Sequence, residues 1–367
     1  AIGFANGEVK IFKHEYTSTY PNDQRVITPS ISYPLGEAPI KVANAAIDLL
    51  TISNNEEKWS VVAGNRQQLT QTNISSEKNL FTDEVEVSTN SFDLPKFDFA
   101  SKELLLLPGQ RWLLASDGNN KVALFDLSDK DDQKLVQTVQ ATSAKITSFS
   151  LLLGGHSLII SDNQGLTSQW FLVRDADNDW QLQKIREFEQ AQSAVSLIAM
   201  EHRRKGFAVL DTNGELHLYN ATANRQVLAQ NITTDNATAI AYAPRSNALL
   251  VEINGEISLF KVDNEHPDIS WTALWNKVWY EGYEEPEYVW QSSASNNDFE
   301  PKYSLMPLAF GTLKAAFYAM LLATPLAICG AIYTAYFMAP AMRRKVKPLI
   351  ELMEALPTVI LGFLAGL

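Results

Sequence analysis

Five histidines, His14, His156, His202, His217 and His266, are the first residues to weigh for metal or acid–base chemistry. None stands at H-x-x-x-H or H-E-x-x-H spacing, the arrangements that bring two imidazoles onto one helix face for a metal ion. His217 falls at an outward-alternating strand position and reads as a surface or packing residue. Asp117, Asp162 and Asp211 recur just before equivalent turns. They could form a repeated calcium or ligand site; the simpler reading is carboxylates that cap hairpin turns. Arg203, Arg204 and Lys205 lie between two apolar runs and read as a solvated loop. One cysteine, Cys329, rules out an intrachain disulfide, a Cys-based metal site and a redox pair. No G-x-S-x-G, P-loop or G-x-G-x-x-G run occurs. The chain is therefore not expected to be an enzyme, and no cofactor is implied. The sequons at Asn73, Asn220, Asn231 and Asn236 would matter only in a eukaryotic secretory setting.

The elements that position these residues repeat. AIGFANGEVKIF, WLLASDGNNKVALF, SLIISDNQGLTSQW, GFAVLDTNGELHLY and ALLVEINGEISLF share one pattern: an apolar strand, a polar turn, then an alternating strand ending in an aromatic. WSVVAGNRQQLTQ is a weaker copy. The turn positions Asn120, Gly165, Gly214 and Gly255 are 45, 49 and 41 residues apart, and Gly7 and Gly64 extend the series upstream at spacings of 57 and 56. Each turn joins two period-two strands, a hairpin signal. A further apolar strand precedes the hairpin, as in ITSFSLLL, and a fourth follows, as in WQLQKIREF. Four strands per unit of about 40–50 residues is the arithmetic of a β-propeller blade. The fold expectation over residues 1–270 is mainly β, a WD40-like propeller with six or more blades visible. An array of β-sandwiches is the alternative.

Charge is split along the chain. Residues 306–367 carry five basic and two acidic residues, which leaves a net charge of −15 on the rest. A region this acidic does not bind nucleic acid or an anionic membrane surface through its overall field. Residues 271–305 form a connector in which Trp271, Trp275, Trp279, Tyr280, Tyr283, Tyr288 and Trp290 alternate with Glu281, Glu284, Glu285 and Glu287. Such aromatics collect at membrane interfaces, and the connector can equally pack on the propeller's lower face; both can hold together.

No charge occurs in the 28 residues between Lys314 and Arg343, enough for one bilayer crossing over about 308–338. Gly311, Ala315, Ala319, Ala323, Ala327, Ala331, Ala335 and Ala339 recur at every fourth position, so small residues wind around a helix suited to close packing on several sides. Arg343, Arg344, Lys345 and Lys347 then mark the cytoplasmic side, which places the propeller outside, in the periplasm of a bacterial inner membrane. In the segment 340–356, Pro348 is expected to start a short amphipathic helix. Leu349, Leu352, Met353 and Leu356 share one face, Lys347, Glu351 and Glu354 the other, and Lys347 can pair with Glu351. A second crossing starts at about 356, with Gly362 and Gly366 as a G-x-x-x-G contact. A chain that begins at Ala1 and stops within an apolar run at Leu367 reads as part of a longer, multi-pass protein.

FGTLKAAFYAMLLATPLAICGAIYTAYFMAP and KVKPLIELMEALPTVILGFLAGL, with LWNKVW upstream, resemble the permease subunits of binding-protein-dependent ABC importers, in particular the phosphate permease of the PstC type. The resemblance covers about residues 271–367. It implies a permease core of several transmembrane helices, here cut short, and import of inorganic phosphate. It also implies a second permease subunit, cytoplasmic ATPase subunits that hydrolyse ATP, and a periplasmic substrate-binding protein. Arg343, Arg344, Lys345, Lys347, Glu351 and Glu354 would lie near the ATPases. The propeller is not part of that family's pattern and reads as an added docking platform. A membrane-tethered propeller scaffold that is not itself a transporter is the alternative.

Overall fold

The computed structural model describes residues 1–55, 58–78, 85–129, 132–294, 296, 298–354 and 358–366. Two compact units make up the chain, Ala1–Ser304 and Leu305–Leu367.

The first unit is built almost wholly of antiparallel sheets. β1 (Ile2–Gly3) pairs with β2 (Glu8–Lys10). After an exposed hairpin, β3 (Lys13–Thr19) and β4 (Val26–Ser32), the strand β5 (Ile40–Lys41) adds to β2. Four four-stranded meanders follow. They are β6 (Leu49–Asn55) to β9 (Val85–Asp93), through β7 (Lys58–Gly64) and β8 (Leu69–Lys78). Next come β10 (Glu103–Leu106), β11 (Trp112–Ser116), β12 (Lys121–Asp126) and β13 (Lys134–Gln140). The third is β14 (Ile146–Leu151), β15 (Ser157–Asp162), β16 (Thr167–Arg174) and β17 (Trp180–Glu187). The fourth is β18 (Val195–Met200), β19 (Gly206–Asp211), β20 (Glu215–Asn220) and β21 (Arg225–Asn231). A three-stranded sheet ends the series: β22 (Ala237–Tyr242), β23 (Ala248–Ile253) and β24 (Glu256–Lys261).

The first strands of successive sheets stand side by side, β6 next to β10, then β14, β18 and β22. Apolar clusters fill the space between neighbouring sheets. Leu114, Val122 and Leu124 of one sheet meet Phe149, Leu158 and Ile160 of the next, while Phe207 and Val209 meet Ile159 and Phe188. A sheet covered on both faces needs central strands that are apolar on both sides, and β11, β15 and β19 are buried throughout. The outermost strand β13 alternates instead between exposed and half-buried residues. Each fully buried Leu, Val or Ile side chain contributes roughly 1.5–3 kcal/mol. This is blade-on-blade packing of the β-propeller kind, and it matches the repeats in the sequence. A bulge recurs at one place in three first strands, between Ile146 and Ser148, Val195 and Leu197, and Ala237 and Ala239.

The turn glycines are required sterically. Gly214 has φ +78°, and a Cβ there would sit 1.9 Å from the Thr233 carbonyl oxygen. Gly165 has φ +86° with the Ala191 carbonyl oxygen in the same place.

The connector belongs to the sheet unit. It contains α1 (Trp271–Trp275), capped by the Ser270 hydroxyl, which accepts from the Ala273 N–H at 3.0 Å. β25 (Trp290–Gln291) and β26 (Lys302–Tyr303) pair within it.

The second unit is helical. α2 (Met306–Ile332) continues into a π-helical turn, Tyr333–Phe337. α3 (Pro340–Glu354) and α4 (Thr358–Gly366) follow. Pro348 does not start a helix: it lies inside α3, which starts at Pro340. A proline at the first helical position forfeits nothing, because that N–H has no partner in the helix. The preceding helix ends at Met338, which is extended (φ −80°, ψ +132°), and Pro340 disfavours the α region for the residue before it. The small-residue series is thereby divided: Gly311 to Ala331 lie on α2, Ala335 in the π turn, and Ala339 outside both helices.

Candidate functional site

The repeated aspartates do turn chemistry. Oδ1 of Asp117 accepts from the N–H groups of Asn119 (2.7 Å) and Lys121 (2.9 Å). Asp162 does the same for Gln164 (2.9 Å) and Leu166 (3.0 Å), and Asp211 for Asn213 and Glu215 (both 2.9 Å). The carboxylate satisfies amides that the hairpin leaves over. Of the two readings of His217, surface or packing, the structure gives packing: it is 4% exposed, inside β20. It shares a face with Tyr219 and with its cross-strand neighbour Val209, and that face packs on Ile159 and Phe188 of the preceding sheet.

The densest constellation of charge lies where the connector enters the sheet unit. Glu281 accepts from the Ser157 hydroxyl on Oε1 (2.6 Å) and from Lys205 Nζ on Oε2 (2.6 Å). Lys205, 0% exposed, also donates to the Leu153 carbonyl (2.5 Å). Glu300 accepts from the Thr222 hydroxyl (2.5 Å) and from the Glu281 N–H (2.8 Å). Arg186 donates to the carbonyls of Ala221, Thr222 and Trp279, so the strand β17 holds both a turn and the connector. Lys302 lies over the rings of Phe299, Tyr280 and Tyr283 at 4.8, 5.5 and 5.6 Å. Nearby, Arg204 grips Glu201 through Nε (2.9 Å) and Nη2 (2.5 Å) and reaches the Asn264 carbonyl (2.7 Å).

The basic triplet 203–205 is thus not a solvated loop, because two of its members are partners of buried or half-buried carboxylates. Nothing in the triplet itself shows this. Among the aromatics of the connector, Tyr280 is buried, while Trp271, Trp275, Tyr288 and Trp290 are exposed.

Burial raises the Glu300 carboxyl above the ordinary glutamate value of 4.5, and the Glu281 charge adds to the rise. Burial likewise raises Glu201 from 4.5 and Asp268 from 3.8. A carboxyl that holds its proton longer in the folded state stabilises the fold at low pH. That contribution is lost as pH climbs from the unfolded value through the folded one. The urea midpoint of the sheet unit is therefore expected to fall as pH rises above the ordinary glutamate value of 4.5, and Glu300→Gln to flatten the fall. Tryptophan fluorescence in urea at a series of pH values measures it; a midpoint that rises over this range contradicts the assignment.

In the helical unit, α2 and its π turn span Met306–Phe337, long and apolar enough to cross a membrane; among the described residues no other helix meets that test. Large apolar side chains are exposed all round it, with no polar face: Phe310, Leu313, Phe317, Leu322 and Leu326 all point outwards. Arg343 folds back on this helix end, donating from Nη2 to the Ala335 carbonyl at 2.5 Å. Basic groups at a helix C-terminus satisfy free carbonyls and oppose the helix dipole. Arg344, Lys345 and Lys347 are on α3, with Glu351 further along the same helix. No ion pair joins Lys347 to Glu351 among the described residues. Glu354 closes α3, and its side chain lies outside the described residues, as do those of Met353 and Leu356. Gly362 and Gly366 are on α4.

No protein-family model matches the chain. Over 79 residues the chain is 35% identical to a probable ABC transporter permease protein, YqgH, of Bacillus subtilis; the match covers 21% of this chain and 25% of the relative. The chain thus spans about a quarter of the curated relative that it matches. Among solved structures, the β-propeller domain of Cps50 (Swd1) from Myceliophteria thermophila is similar at 12% identity and TM-score 0.43, over 71% of this chain and 100% of that one. Sqt1 of Chaetomium thermophilum is similar at 13% identity and TM-score 0.47, over 66% of this chain and 64% of that one. At such TM-scores the fold assignment rests on the sheets themselves.

Proposed function

We propose that this chain is part of the permease subunit of a binding-protein-dependent ABC importer. The observation that carries the proposal is the 35% identity to a probable ABC transporter permease, found in a chain with a membrane-length apolar helix. The basic segment after that helix puts residues 343–347 on the cytoplasmic side by the positive-inside rule and the sheet unit on the other. Arg344, Lys345, Lys347, Glu351 and Glu354 then face separate ATPase subunits that hydrolyse ATP, and this chain does no chemistry of its own. A second permease subunit packs along the small-residue series Gly311 to Ala331. Inorganic phosphate is the cargo, by the resemblance in the stretch from Lys347 to Gly362. The propeller, whose acidic surface repels free anions, docks a protein, the substrate-binding protein or another envelope component.

A second reading, a membrane-tethered scaffold, draws on the size of the sheet unit, Ala1–Ser304. The two readings separate when the full-length protein is purified in detergent through a tag on its gene. A permease copurifies with vanadate-sensitive ATP hydrolysis; a scaffold yields the chain without ATPase subunits.

A further inference from the structure

The hairpin between β19 and β20 carries a set of groups that turn chemistry does not use. Asp211 ends β19, Glu215 opens β20, and His217 follows on the same face. One ligand atom from each lies within 4.8 Å of the other two. His217 Nε2 is 4.0 Å from Asp211 Oδ2 and 3.7 Å from Glu215 Oε2. These separations are too long for hydrogen bonds. Asp211 Oδ2 and both His217 nitrogens are buried with no hydrogen-bond partner. A buried polar atom without a partner is costly, so the arrangement calls for something between the groups.

The hairpins before it serve as internal controls. Asp162 makes the same turn, but its Oδ2 accepts from the Thr142 hydroxyl at 2.5 Å. Thr142 stands four residues before β14; the residue four before β18 is Ala191, which has no side-chain donor to give. Where the Asp211 hairpin has Glu215 and His217, the Asp162 hairpin has Leu166 and Ser168, and the Asp117 hairpin Lys121 and Ala123. The three ligand types coincide with the missing donor in this hairpin alone among the three.

We propose that Asp211 Oδ2, Glu215 Oε2 and His217 Nε2 bind a divalent cation of the zinc class. One imidazole and two carboxylates suit zinc or cobalt, whereas calcium and magnesium take sets of oxygens. Bonds of about 2.0–2.2 Å in a tetrahedron hold ligand atoms roughly 3.4 Å apart, so from 4.0 and 3.7 Å His217 Nε2 closes on the two carboxylates by about 0.6 and 0.3 Å, and the carboxylate pair, within 4.8 Å, closes by up to about 1.4 Å. The Glu215 side chain is 23% exposed, which gives the ion a way in and leaves a fourth position for water. The ion would staple the hairpin, taking up two of the three unpartnered atoms. This reading does not depend on what the protein transports.

The test is a Co²⁺ titration of the metal-stripped full-length protein in detergent, followed by visible absorption, with Zn²⁺ competition and a thermal melt. Expected are one Co²⁺ per chain with the intense d–d bands of a four-coordinate ion, their loss on adding Zn²⁺, and a melting midpoint raised by several degrees at saturating Zn²⁺. Glu215→Gln, at the most exposed ligand, should weaken Co²⁺ at least about tenfold with unchanged far-UV circular dichroism, and His217→Gln should abolish the bands. Absence of d–d bands in the unaltered protein overturns the proposal, and so does Co²⁺ binding that Glu215→Gln leaves unchanged, even if His217→Gln fails to fold.

Discussion

Lys205→Met is expected to lower the unfolding free energy of the sheet unit by about 3–5 kcal/mol, the usual cost of removing one partner of a buried ion pair. The Lys205 ammonium is the charge that balances Glu281, and both groups are shut away from water. Methionine fills much the same volume but leaves the Glu281 carboxylate with the Ser157 hydroxyl as its remaining side-chain donor. The Leu153 carbonyl loses its donor as well. The double variant Lys205→Met with Glu281→Met should recover much of the loss, because a pair replaced as a whole leaves no orphan charge. Urea unfolding followed by tryptophan fluorescence measures both. A loss below about 1 kcal/mol in the single variant would show that the two groups are not held as a pair. The consequence reaches beyond stability. Glu281 fastens the connector to Ser157 of β15 and to Lys205 just before β19, and Glu300 fastens it to Thr222 in the turn after β20; the connector runs in sequence directly into α2.

Placing two arginines in the middle of α2, Leu321→Arg with Leu322→Arg, is expected to move the chain out of the alkali-resistant membrane fraction. Each arginine at the centre of a span costs roughly 2.5–3.5 kcal/mol of insertion free energy, so the pair costs about 5–7 kcal/mol. Both positions are exposed on a helix that is apolar all round, so no protein group within the helical unit shelters the charge. The unaltered chain should resist extraction at high pH and the double variant should be released or degraded. Retention of both in the membrane pellet would mean that α2 is not the anchor. The same two changes leave the repeats untouched, so circular dichroism of the released protein should keep its β signal.

The blade series was legible in the sequence because its signal is local. Each copy has an apolar strand, a turn with Gly or Asn, and an alternating strand, and the turn glycines are fixed by backbone sterics, as at Gly165 and Gly214. For His217 the sequence left surface and packing both open, because period-two alternation defines two faces without saying what covers them, and the central strands of stacked sheets are covered on both. Lys205 was misread because its meaning lies at Glu281, 76 residues away, and three basic residues between strands look solvated until that partner is placed. The carboxylates of the connector carried a signal, acids set among aromatics, but not its cause: Glu281 and Glu300 are drawn inside by Lys205, Thr222 and Arg186 rather than left at a membrane interface. In the helical unit, Pro348 misled because a proline can sit inside a helix whose real start is another proline, Pro340.

The central claim is that the chain belongs to an importer, and uptake of labelled inorganic phosphate by intact cells tests it most directly. Cells lacking the gene should lose a saturable, ATP-dependent component of phosphate uptake, and the intact gene should restore it. Uptake that is the same at low external phosphate with and without the gene would contradict the account.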